Sequence, residues 1–180
     1  MNSFVNESGG PCPQADEALV IDSATEKVGG IIWFAGNGVE KIDATTEAVA
    51  GMVTEIISKD GTNIESPTVD TSALGGTWTP STKTFAAASD NSTVDLISVR
   101  YIPVKADQLF RMQMDADKGT TTGSNLKGYF LKILTSDSAK LDESTAVAAE
   151  AGTQFQIMDP NGQGLDDEVI VRANNRQNTL

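Results

Sequence analysis

The chain has 180 residues, 13 Lys and Arg against 25 Asp and Glu, a net charge of −12 and no histidine. Without histidine there is no Ser-His-Asp or Cys-His catalysis, no imidazole general base and no His-ligated zinc. A charge of −12 argues against nucleic acid, which is bound largely by Lys and Arg displacing phosphate counterions, and against anionic membranes. The length suits one domain with appendages, and a chain of this size buries roughly 70% of its unfolded surface. No window approaches about 18 consecutive apolar residues, so no membrane span is expected. The opening MNSFVNESGGPCPQ has neither a basic n-region nor an apolar h-region, so no signal peptide is expected either. The single cysteine, Cys12, has no internal partner; it is read as incidental rather than as a reactive or intermolecular thiol.

Aromatic content is only 6%, and the apolar residues fall in short runs separated by Gly, Asn, Asp and Ser. That punctuation predicts an all-β fold, a small β-barrel or β-sandwich of about nine or ten short strands. Residues 1–16 read as an extended N-terminal arm, because Gly9, Gly10, Pro11 and Pro13 suit neither a helix nor a central strand. A single β domain over 17–176 and a tail over 177–180 complete the expected organisation.

The first strand is expected at Glu17–Asp22 and the second at Gly30–Ala35. The second turns at Asn37-Gly38, a pair suited to a type I′ hairpin, into Val39–Asp43. Ala48–Ser58 should form a strand closed by Asp60-Gly61. Residues 60–93 are polar and rich in Gly, Pro, Ser and Thr. They read as an excursion on the surface, with short strands near Thr77–Thr79 and Thr84–Ala86. Val94–Val104 follows as a long β-branched strand, its Pro103 marking an edge or an end.

Gln108–Asp115 alternates cleanly, with Phe110, Met112 and Met114 on one face. Gly123–Lys127 suits a short helical turn capped by Ser124, and Gly128–Leu134 a buried strand. Ser144–Glu150 is compatible with a short helix or with a loop containing one turn. Thr153–Met158 and Glu168–Asn174 close the chain as strands joined by a turn over Asp159–Asp166. No internal repeat is evident.

Candidate sites are few. Asp159–Glu168 opens like an EF-hand loop but has Ile170 where a bidentate Glu is required, so a solvated turn is expected, with a Ca²⁺ site of another geometry on Asp166, Asp167 and Glu168 as the alternative. Asp115 and Asp117 form a second acidic tract, read as a surface loop because general acid–base work needs a pocket that splits the two pKa values. The sequons Asn6-Glu7-Ser8 and Asn91-Ser92-Thr93 read as chance matches. Trp33 is expected in the core. Trp78, in a polar stretch, is the better candidate for an interface anchor or a sugar-stacking platform, with packing under the 60–93 excursion the equal alternative. No P-loop, dinucleotide fingerprint or Cys/His cluster is present. No catalytic, cofactor-binding or metal-binding residue is therefore predicted, and the chain does not read as an enzyme.

The C-terminal half carries an ordered set of short motifs. Phe110-Arg-Met-Gln113-Met-Asp115 leads into Lys118–Gly123, then Asn125-Leu-Lys-Gly128-Tyr129, Leu141-Asp142-Glu-Ser144-Thr-Ala146 and Phe155-Gln-Ile157. Asp159-Pro160-Asn161 and Val169-Ile-Val171-Arg-Ala-Asn174-Asn175 follow. In this order and spacing, residues 109–176 resemble the head decoration (capsid cement) proteins of tailed bacteriophages. Gly36–Val39 and Ala50–Val53 agree more loosely, and the 60–93 excursion departs from the shorter family pattern.

The resemblance implies a structural virion protein, commonly a homotrimer, on the outer surface of the capsid. It would be made in the host cytoplasm and bridge major capsid protein subunits, with no nucleic acid or membrane partner and no cofactor. The alternative is a carbohydrate-binding or host-adhesion module using Trp78, Tyr129 and loop carboxylates. Expected interface residues are Phe4, Val5, Pro11 and Pro13 in the arm, Trp78, and Arg172, Asn174, Asn175 and Arg176 near the C-terminus. Arg172 and Arg176 are suited to bidentate pairing with acidic groups across a seam.

Overall fold

The computed structural model describes residues 3–5, 15–20, 25–35, 38–42, 48–87, 97–104, 108–115, 126–149, 153–159 and 168–174. In chain order the first strands are β1 (Ser3–Val5), β2 (Asp16–Leu19), β3 (Thr25–Lys27), β4 (Ile31–Ala35), β5 (Gly38–Lys41) and β6 (Gly51–Ser58). A short 3₁₀ turn, η1 (Thr71–Ala73), precedes β7 (Gly76–Thr79), β8 (Thr84–Ala87) and β9 (Ile97–Pro103). The last five strands are β10 (Leu109–Met114), β11 (Phe130–Leu134), β12 (Asp137–Val147), β13 (Phe155–Asp159) and β14 (Glu168–Ala173). The chain is all-β, as its punctuation predicts. Its strands exceed the nine or ten expected because β1 and β3, of three residues each, are too short to leave a period in the sequence, and because β12 was not foreseen.

Two compact units emerge: Met1–Cys12 with Ile42–Val49 and Val104–Leu180, and Pro13–Lys41 with Ala50–Pro103. In the first, the strands run in the order β1-β10-β12-β11-β13-β14, and β10 also pairs with β14. Strands β10, β12, β11, β13 and β14 therefore close on themselves as a barrel. The predicted alternation of β10 holds: Phe110, Met112 and Met114 are fully buried while Arg111 and Gln113 are half-exposed. Phe110 meets Phe155 edge to face, with ring centroids 6.4 Å apart. The expected strands at Gly128–Leu134, Thr153–Met158 and Glu168–Asn174 appear as β11, β13 and β14.

Ser144–Glu150 is the clearest correction, since Ser144–Val147 forms the end of β12 rather than a helical turn or a loop. Pairing decides it. Phe130 lies opposite Val147, and Thr145 Oγ1 accepts a hydrogen bond from Lys132 N at 2.9 Å. Alanine-rich composition is only a weak prior against such tertiary contacts. Residues 121–125, which include most of the expected Ser124-capped turn, lie outside the described residues.

The second unit is built on a sheet ordered β2-β9-β6-β4-β5, with a separate sheet β3-β8-β7. A parallel bridge between Val20 and Val39 brings the first and last strands of the larger sheet together. The β4–β5 hairpin closes at Ala35↔Gly38. Its connecting pair is thus Gly36-Asn37, one position earlier than the expected Asn37-Gly38. Strand β9 lies between β2 and β6, so Pro103 marks a strand end and not an edge.

The expected short strands of the 60–93 segment are β7 and β8, but the segment is more than a surface excursion. Ile64, Leu74 and Phe85 join Val20, Ile32, Val53, Ile56, Val99 and Tyr101 in one buried cluster. Burying a side chain such as Phe85 stabilises by about 1.5–3 kcal/mol, which explains how so polar a segment is held. Trp33 is only half-buried, a second correction to the core expectation. Among the described residues no helix is long and apolar enough to cross a membrane.

Candidate functional site

Among the described residues, a concavity lies where β6 runs out into the 60–93 segment. Ser58, Lys59, Asp60, Thr62, Asp70 and Leu74 line a cleft of about 410 Å³, together with Thr68, Val69 and Ala73. Its rim is set by local turn chemistry. Gly61 has φ of 81°, a left-handed conformation that favours glycine, and closes the turn by donating its N–H to Ser58 O at 2.8 Å. Asp60 Oδ1 accepts from Ser58 Oγ at 2.5 Å and from Thr62 N at 3.0 Å, and these bonds hold its carboxyl below the usual carboxylate range. Asp70 caps η1, accepting from Ser72 N at 3.0 Å and Ser72 Oγ at 2.6 Å, with the same effect on its pKa.

The cleft therefore combines two ionised carboxylates and several hydroxyls with apolar Val69, Ala73 and Leu74. Such a surface can accept hydrogen bonds from hydroxyl or amide donors. Among the described residues no cluster of three or more His, Cys, Asp or Glu is placed to hold a metal ion.

None of the predicted interface residues that the structure describes lines this cleft. Phe4 and Val5 lie in β1, opposite Phe110 and Leu109 of β10. Part of the expected arm is thus an added strand on this chain's own sheet. Trp78 lies opposite Phe85 and packs, half-buried, against the buried cluster, so its ring serves the core as well as the surface.

Arg172 projects from β14 and donates from Nη2 to Gln156 Oε1 at 2.8 Å. Asn174 donates its backbone N–H to Gln154 O at 2.8 Å and its Nδ2 to Thr153 O at 3.2 Å, tying down the end of β14. Asp115, read as part of an acidic loop, receives the backbone N–H of Glu143 at 2.7 Å. Pro11, Pro13, Asn175 and Arg176 lie outside the described residues, as do Asp117 and residues 160–167 of the EF-hand-like segment.

No protein-family model matches this chain, and no curated protein sequence matches it.

Two features carry no local sequence signal. On the outer face of the second unit, Arg100 stands opposite both Glu17 and Glu55. It donates to Glu55 Oε2 at 3.0 Å and lies 3.8 Å from Glu17 Oε2. Within that unit, Glu26 of β3 is fully buried, and neither of its oxygens makes a hydrogen bond of good geometry. Burial pushes its carboxyl up to about 8, with the charge of Glu40 adding to the effect. The backbone N–H and the ammonium of Lys41 pull the other way too weakly to offset this. An isolated Glu in a three-residue strand gives no hint of such burial; only the pairing of β3 with β8 does.

Proposed function

We propose that this chain is a decoration protein of a tailed-phage capsid, bound to the outside of the assembled shell and bridging neighbouring major capsid protein subunits, with no enzymatic role and no cofactor. One observation carries the reading. The residues that bear the resemblance, 109–176, supply every strand of one closed barrel, β10 to β14. The ordered motifs thus coincide with one structural unit and are not scattered over unrelated loops. A negative surface keeps an external protein away from DNA. A protein that binds the assembled lattice more tightly than free subunits stabilises the lattice by mass action, and many copies reinforce one another. The reading implies self-association, as a trimer at lattice three-fold positions.

Co-sedimentation with undecorated heads, together with light-scattering mass in solution, tests this directly. Saturable binding at a stoichiometry matching the three-fold positions is expected. A stable monomer that does not bind heads would sink the reading.

A second reading, a carbohydrate-binding or adhesion module, is favoured by the cleft at Asp60 and Asp70, whose acceptors and hydroxyls suit a polyhydroxylated ligand. Saccharide binding lost on Asp60→Ala and Asp70→Ala, in a chain that ignores heads, would move the assignment there.

A further inference from the structure

We propose that this chain is an internal duplication: its two units are copies of one five-stranded barrel, and residues 59–96 are an insertion into one copy. Taken in chain order, the strands of one barrel are β2, β4, β5, β6 and β9, and those of the other are β10, β11, β12, β13 and β14. The pairings then agree one by one. First and fifth strands are antiparallel in both, β2 with β9 and β10 with β14. Fifth and fourth are antiparallel, β9 with β6 and β14 with β13. Fourth and second are antiparallel, β6 with β4 and β13 with β11. Second and third are antiparallel, β4 with β5 and β11 with β12.

Closure is the least expected step, because in both barrels the third strand meets the first in parallel. Val20 meets Val39 in one, and Gln113 and Met114 meet Lys140 and Leu141 in the other. Five strands can be ordered around a ring in many ways, and antiparallel neighbours are the commoner kind. Arriving twice at this order, with its single parallel seam in the same place, is difficult to attribute to chance.

Register supplies a second, independent agreement. On the fifth strands, Val99-Arg100 and Val171-Arg172 take the same positions. Val99 lies opposite Ile56 and Val171 opposite Ile157, all four fully buried. Arg100 lies opposite Glu55 and donates to its side chain at 3.0 Å. Arg172 lies opposite Gln156 and donates to its side chain at 2.8 Å. The second-to-third connection is also two residues in each copy, Gly36-Asn37 and Thr135-Ser136.

The copies differ most between the fourth and fifth strands. One crosses with residues 160–167, the other with 59–96, which hold η1, β7 and β8. Since one copy closes the barrel with the short connection, the long one is not needed for closure. Of the residues lining the cleft, Lys59, Asp60, Thr62, Thr68, Val69, Asp70, Ala73 and Leu74 all belong to this added segment. The cleft of that copy is thus an acquisition, not part of the shared barrel. On the capsid reading above, and resting on it, two like modules in one chain suit a partner that repeats.

Cysteine crosslinking of the full chain tests the duplication at its seams, in a Cys12→Ser background. Val20→Cys with Val39→Cys, and Gln113→Cys with Lys140→Cys, should each form an intramolecular disulfide on mild oxidation, with single-cysteine variants as controls. A folded protein in which the Gln113/Lys140 pair crosslinks and the Val20/Val39 pair stays reduced would overturn the proposal, because one unit would then be an open sheet. Should the buried valine pair not tolerate cysteine, nuclear Overhauser contacts between Val20 and Val39 in the unaltered chain decide the same point: their presence supports closure, and their absence overturns it. These outcomes concern the chain alone, so failure here leaves head binding to be judged separately.

Discussion

Glu26 on β3 and Phe85 on β8 stand directly opposite each other in the ladder, and both side chains are buried, a carboxyl paired in register with a phenyl ring. The carboxyl responds by holding its proton, with a folded pKa of about 8 against 4.5 ordinarily. Between those values the native state binds more protons than the unfolded state, so stability falls as pH rises. The favourable contribution of the neutral acid is complete below about pH 4.5 and gone above about pH 8, a swing on the order of 5 kcal/mol. Glu26→Gln should remove this slope. Chemical denaturation of both proteins from pH 5 to 9 should show the variant gaining on the parent as pH rises. A constant difference across that range would refute the assignment.

Two glycines should respond to alanine for different reasons. At Gly51 a Cβ would collide with Tyr101 Cδ2 and lie 2.6 Å from the carbonyl oxygen of Ile102, which is backbone and cannot swing away. At Gly61 nothing lies within 4 Å, but φ is +81°. Gly51→Ala is expected to cost about 2–3 kcal/mol through overpacking, and Gly61→Ala about 1 kcal/mol through backbone strain alone. Denaturation midpoints of the two variants check the order; equal losses would mean that the Gly51 contact relaxes.

Much of the fold was legible because alternation exposes a half-buried strand residue by residue, as in Phe110-Arg111-Met112-Gln113-Met114. The end of β12 was not, because Ser144-Thr145-Ala146 has no preference strong enough to outweigh the ladder it meets. The role of residues 60–93 was hidden by averaging: three buried side chains, Ile64, Leu74 and Phe85, are spread through a polar stretch. The likeness of the two barrels escaped the sequence for a related reason. A topology is kept by which strands pair, and only Val-Arg on the fifth strands and an apolar residue opposite that valine remain as a written trace. The candidate cleft likewise depends on residues from 58 to 74 brought together by turns whose side chains are individually ordinary.

The edge-to-face pair of Phe110 and Phe155 joins the first and fourth strands of the second barrel in chain order. Both rings are fully buried, so either truncation to alanine should cost about 3–5 kcal/mol. The double variant should cost less than the sum of the two by about 0.5–1.5 kcal/mol, the coupling expected of an aromatic pair. A double-mutant cycle by denaturant unfolding measures this, and strict additivity would mean that the rings do not act as a pair.

Removing Met1–Pro13 separates the roles of the arm. The deletion takes away β1, whose Ser3–Val5 pairs with Leu109–Arg111, but those same β10 residues keep their partners Ile170, Val171 and Arg172 on the other side. The barrel therefore retains its closure, and the loss should be about 1–3 kcal/mol, the worth of a few edge hydrogen bonds. On the capsid reading the truncated protein should stay folded by circular dichroism yet sediment with heads less tightly than the full chain, because an edge strand is suited to pairing with a neighbour. Equal attachment of the two proteins would confine the arm to closing its own sheet and leave the contacts with the shell to other surfaces of the chain.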